Sequence, residues 1–284
     1  MKNISIYLTL LIVFLSSCAE LDNGIVDTNA KPVVEGYLSP GTPVLIRIYK
    51  EIPYAEVTTA NANKEVPIEN LKITLKGPES SVVLTSVGGG VYSAPSSFKI
   101  IVGKEYSMKF DYNGMGISAS TIIPTKPLNY SADKDLITRQ AIDLSQGGGG
   151  MGGRPGGNFT QASNLTLTWF NPANDYFISV IENLETNPVE IVKFPVDPTR
   201  VRPDVRFRNE PVQGTSVQIR AQNFQYFGYH RVILFKLNPD YVALYKRNGN
   251  TTQNISTPPT TIINGLGIFT GVNSDTLKVR VIPE

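Results

Sequence analysis

Short runs of alternating apolar and polar residues, cut apart by proline, glycine and asparagine, limit this chain to a β-sheet architecture. Leu165-Thr166-Leu167-Thr168-Trp169-Phe170 is one such run, with a period of two that puts one set of side chains on each face of a strand. Val33 to Leu38, Val44 to Tyr49, Leu71 to Leu75, Ser81 to Leu84, Val217 to Arg220, Tyr229 to Leu237 and Leu277 to Ile282 read the same way. Tyr106 to Tyr112 and Ile117 to Ile122 flank Asn113-Gly114, which predicts a hairpin because both central residues of a type I′ turn need positive φ. Tyr176 to Ile181 is expected to pair with the Leu165 run across Asn171-Pro172-Ala173-Asn174. One helix is predicted after Asn238, which can cap it, with Pro239 first, Lys246 and Arg247 in the last turn and Gly249 ending it.

The spacing of these strands, about 8–12 residues, suggests sandwiches of immunoglobulin-like or fibronectin-like size. Pro124-Thr125-Lys126-Pro127 cannot continue a ladder and makes a domain boundary. The expected fold class is therefore all-β, with two β-sandwich domains and one short helix in the second. Residues 32–125 form the first domain and 126–284 the second.

The N-terminus carries a different signal. Lys2 gives a single positive charge, and Ile4 to Leu15 is a run of 12 residues broken only by Ser5 and Thr9. Leu15-Ser16-Ser17-Cys18 then reads as a lipobox, with small residues before the cut. A membrane-spanning helix would need about 20 apolar residues. Residues 1–17 are thus expected to be a lipoprotein signal peptide, Cys18 the acylated residue, and 18–31 a tether. Cys18 is the chain's one cysteine, so no disulfide supports the body. Burying acyl chains gains about 0.8 kcal/mol per CH₂, and a diacylglyceryl cysteine, commonly with a third chain, should hold stably. Glu20 and Asp22 resemble the acidic signal that directs some Gram-negative lipoproteins to the cell surface. Periplasmic and surface faces of the outer membrane both stay open.

Without Lys2, 25 basic residues face 24 acidic ones. That balance argues against nucleic acid as a partner, since such binders concentrate basic surface. Residues 147–157 hold eight glycines but no lysine and hydroxyl residue leading into a helix, so they read as a loop and not a phosphate cradle. Arg200, Arg202, Arg206 and Arg208 alternate with apolar residues, which offers an anion seat or, more readily, an aggregation-resistant edge strand. Phe224, Tyr226, Phe227 and Tyr229 make the densest aromatic stretch, suited to a partner or to a core. Arg206, Arg208, Tyr226 and Tyr229 are the candidate contact residues. His230 is the one histidine, with no second histidine or cysteine to make an ordinary zinc site. No Gly-x-Ser-x-Gly elbow is present. No catalytic residue, metal or cofactor is assigned. A hydrolase working through two carboxylates, on glycans or peptides, stays an alternative to a binding protein, as does a structural or adhesive surface lipoprotein.

The order of these features resembles a family of Bacteroidetes lipoproteins catalogued as a domain of unknown function (four-two-four-nine). The matching pieces are the lipobox, Val33 to Leu38, Ile52-Pro53-Tyr54, Gly90-Val91-Tyr92, Gly103 to Met108 and Ile123-Pro124. Trp169-Phe170-Asn171-Pro172 with Tyr176-Phe177, and Gly265 to Phe269 with Ser274-Asp275, complete the set. The glycine-rich loop departs from the family pattern. The resemblance implies an accessory lipoprotein encoded beside TonB-dependent outer-membrane receptors, with no established ligand and no catalytic residues to carry over. Gly36 and Gly90 then mark places where strands bend or begin, and Trp169 a buried core position.

Overall fold

The computed structural model describes residues 30–52, 65–144, 164–194, 207–247 and 259–284. Residues 1–29, with the signal, Cys18 and the tether up to Asn29, Pro53-Tyr54, the glycine-rich loop 147–157, Arg200, Arg202 and Arg206 lie outside the described residues.

The first half contributes β1 (Pro32–Leu38), β2 (Leu45–Lys50), β3 (Val66–Pro67), β4 (Thr74–Lys76), β5 (Ser81–Val83), β6 (Thr85–Gly88), β7 (Val91–Ser93), β8 (Glu105–Tyr112) and β9 (Met115–Ile122). The second contributes β10 (Leu128–Ala132), β11 (Leu136–Arg139), β12 (Ile142–Asp143), β13 (Leu165–Phe170), β14 (Tyr176–Asn183), β15 (Val192–Lys193), β16 (Phe207–Arg208), β17 (Ser216–Ile219) and β18 (Gly228–Leu237). Helix α1 (Pro239–Arg247) and the strand β19 (Leu266–Pro283) follow. Among the described residues the protein is all-β apart from α1 and one 3₁₀ turn.

A ten-stranded sheet runs β16-β14-β18-β19-β1-β2-β7-β6, with β11 beside β19 and β3 beside β2. Its organising element is β19, 18 residues long. Leu266–Gly271 pair in parallel with Val33–Leu38 of β1, while Val272–Val281 pair antiparallel with Leu237–Gly228 of β18. One strand therefore serves both halves. Side-chain alternation puts Phe269, Val279 and Val281 on one face of it. Phe269 enters the first core, with Val34, Ile46, Tyr92, Tyr106 and Met108. Val279 and Val281 enter the second, with Leu165, Trp169, Phe177, Val232 and Leu234. Two smaller sheets cover this same face: β5-β4-β8-β9 closes the first core and β10-β13-β17 the second. The result is two sandwiches sharing one sheet.

The helix lies on the opposite face. Val242 of α1 packs with Ile178, Leu237 and Val272, a small third cluster. Pro239 opens the helix, as expected. Asp240 accepts from the Tyr241 amide at 2.7 Å and from the Thr270 hydroxyl at 3.0 Å. Asn238 sends its amide across to the first half, donating to the Ile122 carbonyl at 3.0 Å and Thr121 Oγ1 at 3.2 Å.

Two expectations differ from this outcome. Residues 259–271, assigned by sequence to the second domain, join the first: Ile262 and Phe269 are buried in its core. The turn-like residues Gly265, Gly267 and Gly271 hid the front half of β19. Gly267 holds a φ of 97°, and a Cβ there would collide with the Val34 backbone. The expected Trp169–Tyr176 hairpin is not formed either, since β13 pairs with β10 and β17 whereas β14 pairs with β16 and β18. Asn171 ties the corner by donating to the Asp175 carbonyl at 3.0 Å and accepting from its amide at 2.8 Å, and Asn174 adopts φ 55°. The chain thereby steps from one layer to the other, and Trp169 meets Phe177 across the core at 5.3 Å between ring centroids. The Asn113-Gly114 hairpin forms as read, with φ of 50° and 77° and Tyr112 opposite Met115.

Candidate functional site: the uncovered sheet face

Alternation along β19 turns Thr276, Lys278 and Arg280 to the face that neither small sheet covers. Across the β18–β19 ladder Tyr229 lies opposite Arg280, and Arg231 opposite Lys278. Tyr229 is 40% exposed, with Lys278 Nζ 4.0 Å and Arg280 Cζ 5.3 Å from its ring centroid. Such contacts draw on the negative face of the ring. Arg231 is ion-paired with Glu182, its cross-strand neighbour on β14. Glu185 accepts from the Tyr229 amide at 2.7 Å.

Arg208 lies on the same face. It stands opposite Val180 in β16, the outermost strand of the sheet among the described residues, which matches an edge-strand position. The Tyr37 hydroxyl is pushed up to about 12, first by burial, then by Tyr241 and Glu35, while the Arg208 charge acts against them. The Tyr37 and Tyr241 rings meet edge-on at 6.1 Å. The Arg208 charge on β16 thus acts on a tyrosine pair contributed by β1 and α1.

The aromatic stretch divides. Tyr226 is half-buried and makes a strand bridge with Glu190. Phe224 is 1% exposed and presents its face or edge at right angles to His230, with centroids 5.2 Å apart. Tyr229 alone of the stretch reaches the uncovered face alongside Lys278. Sequence reading flagged Arg208 and Tyr229 but missed Lys278, Arg280 and Tyr37. The alternation in Leu277-Lys278-Val279-Arg280-Val281 was visible, whereas the register that places Tyr229 beside it was not.

His230 is 2% exposed. Its Nδ1 faces the Gly228 carbonyl at 3.2 Å and its Nε2 the Asn183 amide nitrogen at 3.1 Å. An Nδ1–H tautomer satisfies both, with Nδ1 donating to the carbonyl and Nε2 accepting from Asn183. Burial holds its pKa below the ordinary value, and the Gly228 carbonyl and Glu185 oppose that only in part. The imidazole is locked into the fold, and among the described residues no hydroxyl nucleophile is bonded to it.

Among the described residues no group of three or more His, Cys, Asp or Glu side chains could hold a metal. A cleft of about 100 Å³ lies between α1 and the β19 entry, lined by Asp240, Thr260, Thr261, Gly267 and Ile268. Pockets for drug-sized ligands run to about 300–1,000 Å³. No described helix is long and apolar enough to cross a membrane.

No protein-family model matches this chain, and no curated protein matches it. Among solved structures, trypsin-activated alpha-2-macroglobulin from Escherichia coli aligns with 90% of this chain at 10% identity and a TM-score of 0.24. The alignment covers 16% of that much longer protein. A likeness of that order decides neither fold nor function, and the all-β assignment stands on the strand pairing itself.

Proposed function

We propose that this protein is a lipid-anchored, non-catalytic component of the outer membrane, accessory to or ligand-binding for a TonB-dependent nutrient-uptake system. The lipobox ending at Cys18 carries this reading. The family resemblance supports the link to a receptor. The burial and full engagement of His230 support a binding role over hydrolysis by a histidine-assisted nucleophile. The exposed strand surface around Tyr229, Lys278 and Arg280 suits contact with a partner surface better than enclosure of a small substrate.

Radiolabelled palmitate fed to cells producing the native chain should enter the protein, and Cys18→Ala should abolish both the label and outer-membrane fractionation. Chemical cross-linking in intact cells, followed by purification, should recover a TonB-dependent receptor. A Cys18→Ala protein that still fractionates with the outer membrane would overturn the anchor. A thorough cross-linking screen that recovers no receptor would overturn the uptake role.

A further inference from the structure

Arg231 and Lys278 stand directly opposite each other on adjacent strands, and Arg280 follows on the same face two residues on. Like charges in directly opposed positions destabilise a sheet. Glu182 answers Arg231. Among the described residues neither Lys278 nor Arg280 has a carboxylate partner. Of the acids close by, Glu185 has an oxygen committed to the Tyr229 amide, and Asp135 meets Arg280 through its backbone carbonyl, which accepts from the Arg280 amide at 2.8 Å, with no ion pair between the two side chains. Two cations without a carboxylate partner thus crowd one exposed tyrosine on this strand surface, in a chain whose overall charge is close to balance.

We infer that this face docks onto an anionic lipid surface, with Lys278 and Arg280 meeting headgroup phosphates and Tyr229 lodging among them. Cations of this kind are attracted to anionic headgroups within about a Debye length, and tyrosine suits the headgroup level because its ring is apolar and its hydroxyl wet. An open sheet face fits a planar partner, where a pocket would fit a single molecule. The inference rests on the proposed anchor for proximity. The chain from Cys18 to Pro32 reaches at most about 50 Å when extended, and Leu266 to Arg280 measures about 46 Å along β19. Because β1 enters beside Leu266, the tether allows the Arg280 end to lie against the membrane. Acylation alone leaves the body free to swing. The cationic face fixes which side meets the lipid.

The test uses the mature acylated protein carrying Thr276→Cys, an exposed position on the same face, labelled with a fluorophore while Cys18 is blocked by its acyl group. It is reconstituted into vesicles of phosphatidylcholine alone or mixed with phosphatidylglycerol, each doped with a nitroxide-labelled quencher lipid. Quenching is expected only with phosphatidylglycerol, and should fall to the phosphatidylcholine level at high salt. Lys278→Gln with Arg280→Gln should abolish it, whereas Lys76→Gln with Lys109→Gln, exposed on the first half's small sheet, should leave it intact. The salt reversal needs no charge variant, so a folding defect cannot imitate the result. Equal quenching in both vesicles, or none in either, would overturn the inference. So would a label shielded by a co-purified protein and not by lipid. The acyl mass read on the same sample separates failure of the anchor from failure of the docking face.

Discussion

Gly271 of β19 lies against the backbone of Ile122: a Cβ at residue 271 would stand 2.6 Å from the Ile122 carbonyl oxygen and 3.0 Å from Ile123 Cα. The connection between the halves crosses the sheet at this point. It is held there by the Gly271 amide on Thr121 Oγ1 at 2.8 Å and by Asn273 donating to the Pro124 carbonyl at 2.9 Å. Lys236 reaches Thr125 from the neighbouring strand. Gly271→Ala should therefore force the connection off the sheet and cost about 1–3 kcal/mol, the usual penalty of overpacking. Thermal melts of the variant check it, and a melting temperature equal to that of the parent would show that the crossing can yield.

Because β19 supplies Phe269 to one core and Val279 to the other, neither sandwich can lose this strand alone. Unfolding should be one transition despite the two cores. Trp169, the single tryptophan, is 4% exposed in the second core, so its emission should be blue in the native state and shift red on unfolding. Tyr92 and Tyr106 lie in the first core and report through near-ultraviolet absorbance. Urea titrations followed by both signals are expected to superimpose. Two separated midpoints would refute the shared-strand argument.

Two fully buried tyrosines use their hydroxyls alike. Tyr106 donates to the Lys99 carbonyl at 2.9 Å and accepts from the Ile101 amide at 2.8 Å. Tyr92 donates to the Ile68 carbonyl at 2.8 Å and accepts from the Leu71 amide at 3.1 Å. Replacing either by phenylalanine keeps the ring but strands a backbone amide and a carbonyl. Each change should cost about 1–3 kcal/mol, measured by denaturant titration, with the 99–101 or 68–71 segment gaining hydrogen exchange.

His230 gives stability a pH dependence of known sign. Its folded pKa lies below the unfolded value of 6.5 because burial disfavours the cation. Above 6.5 both states are neutral and the contribution is complete. As pH falls below 6.5 the unfolded chain takes up a proton before the folded one, and stability declines until the folded pKa is reached. The slope approaches about 1.4 kcal/mol per pH unit for one proton. His230→Asn should be less stable at neutral pH and should lose that part of the slope below 6.5. A parent protein whose stability stays flat from neutral pH down to 5 would contradict the burial argument.

The sequence by itself determined most of the longer strands and one turn. Alternation in Leu165–Phe170 and Tyr229–Leu237 fixes which residues share a face, and Asn113-Gly114 fixes a hairpin, because both are local consequences of backbone geometry. It also carries Leu15-Ser16-Ser17-Cys18, from which acylation is proposed without reference to the fold. Tertiary structure decided what those strands pair with. The corner at Asn171–Asp175 depends on two hydrogen bonds that send β14 to the other layer. The front of β19 reads as turns because its glycines answer a need for space against Val34 and Ile122, residues more than a hundred positions away. The site shows the same division. Tyr229, Lys278 and Arg280 become one cluster only through the β18–β19 register. Register is set by burying whole faces against distant elements, and no short window of sequence contains that information.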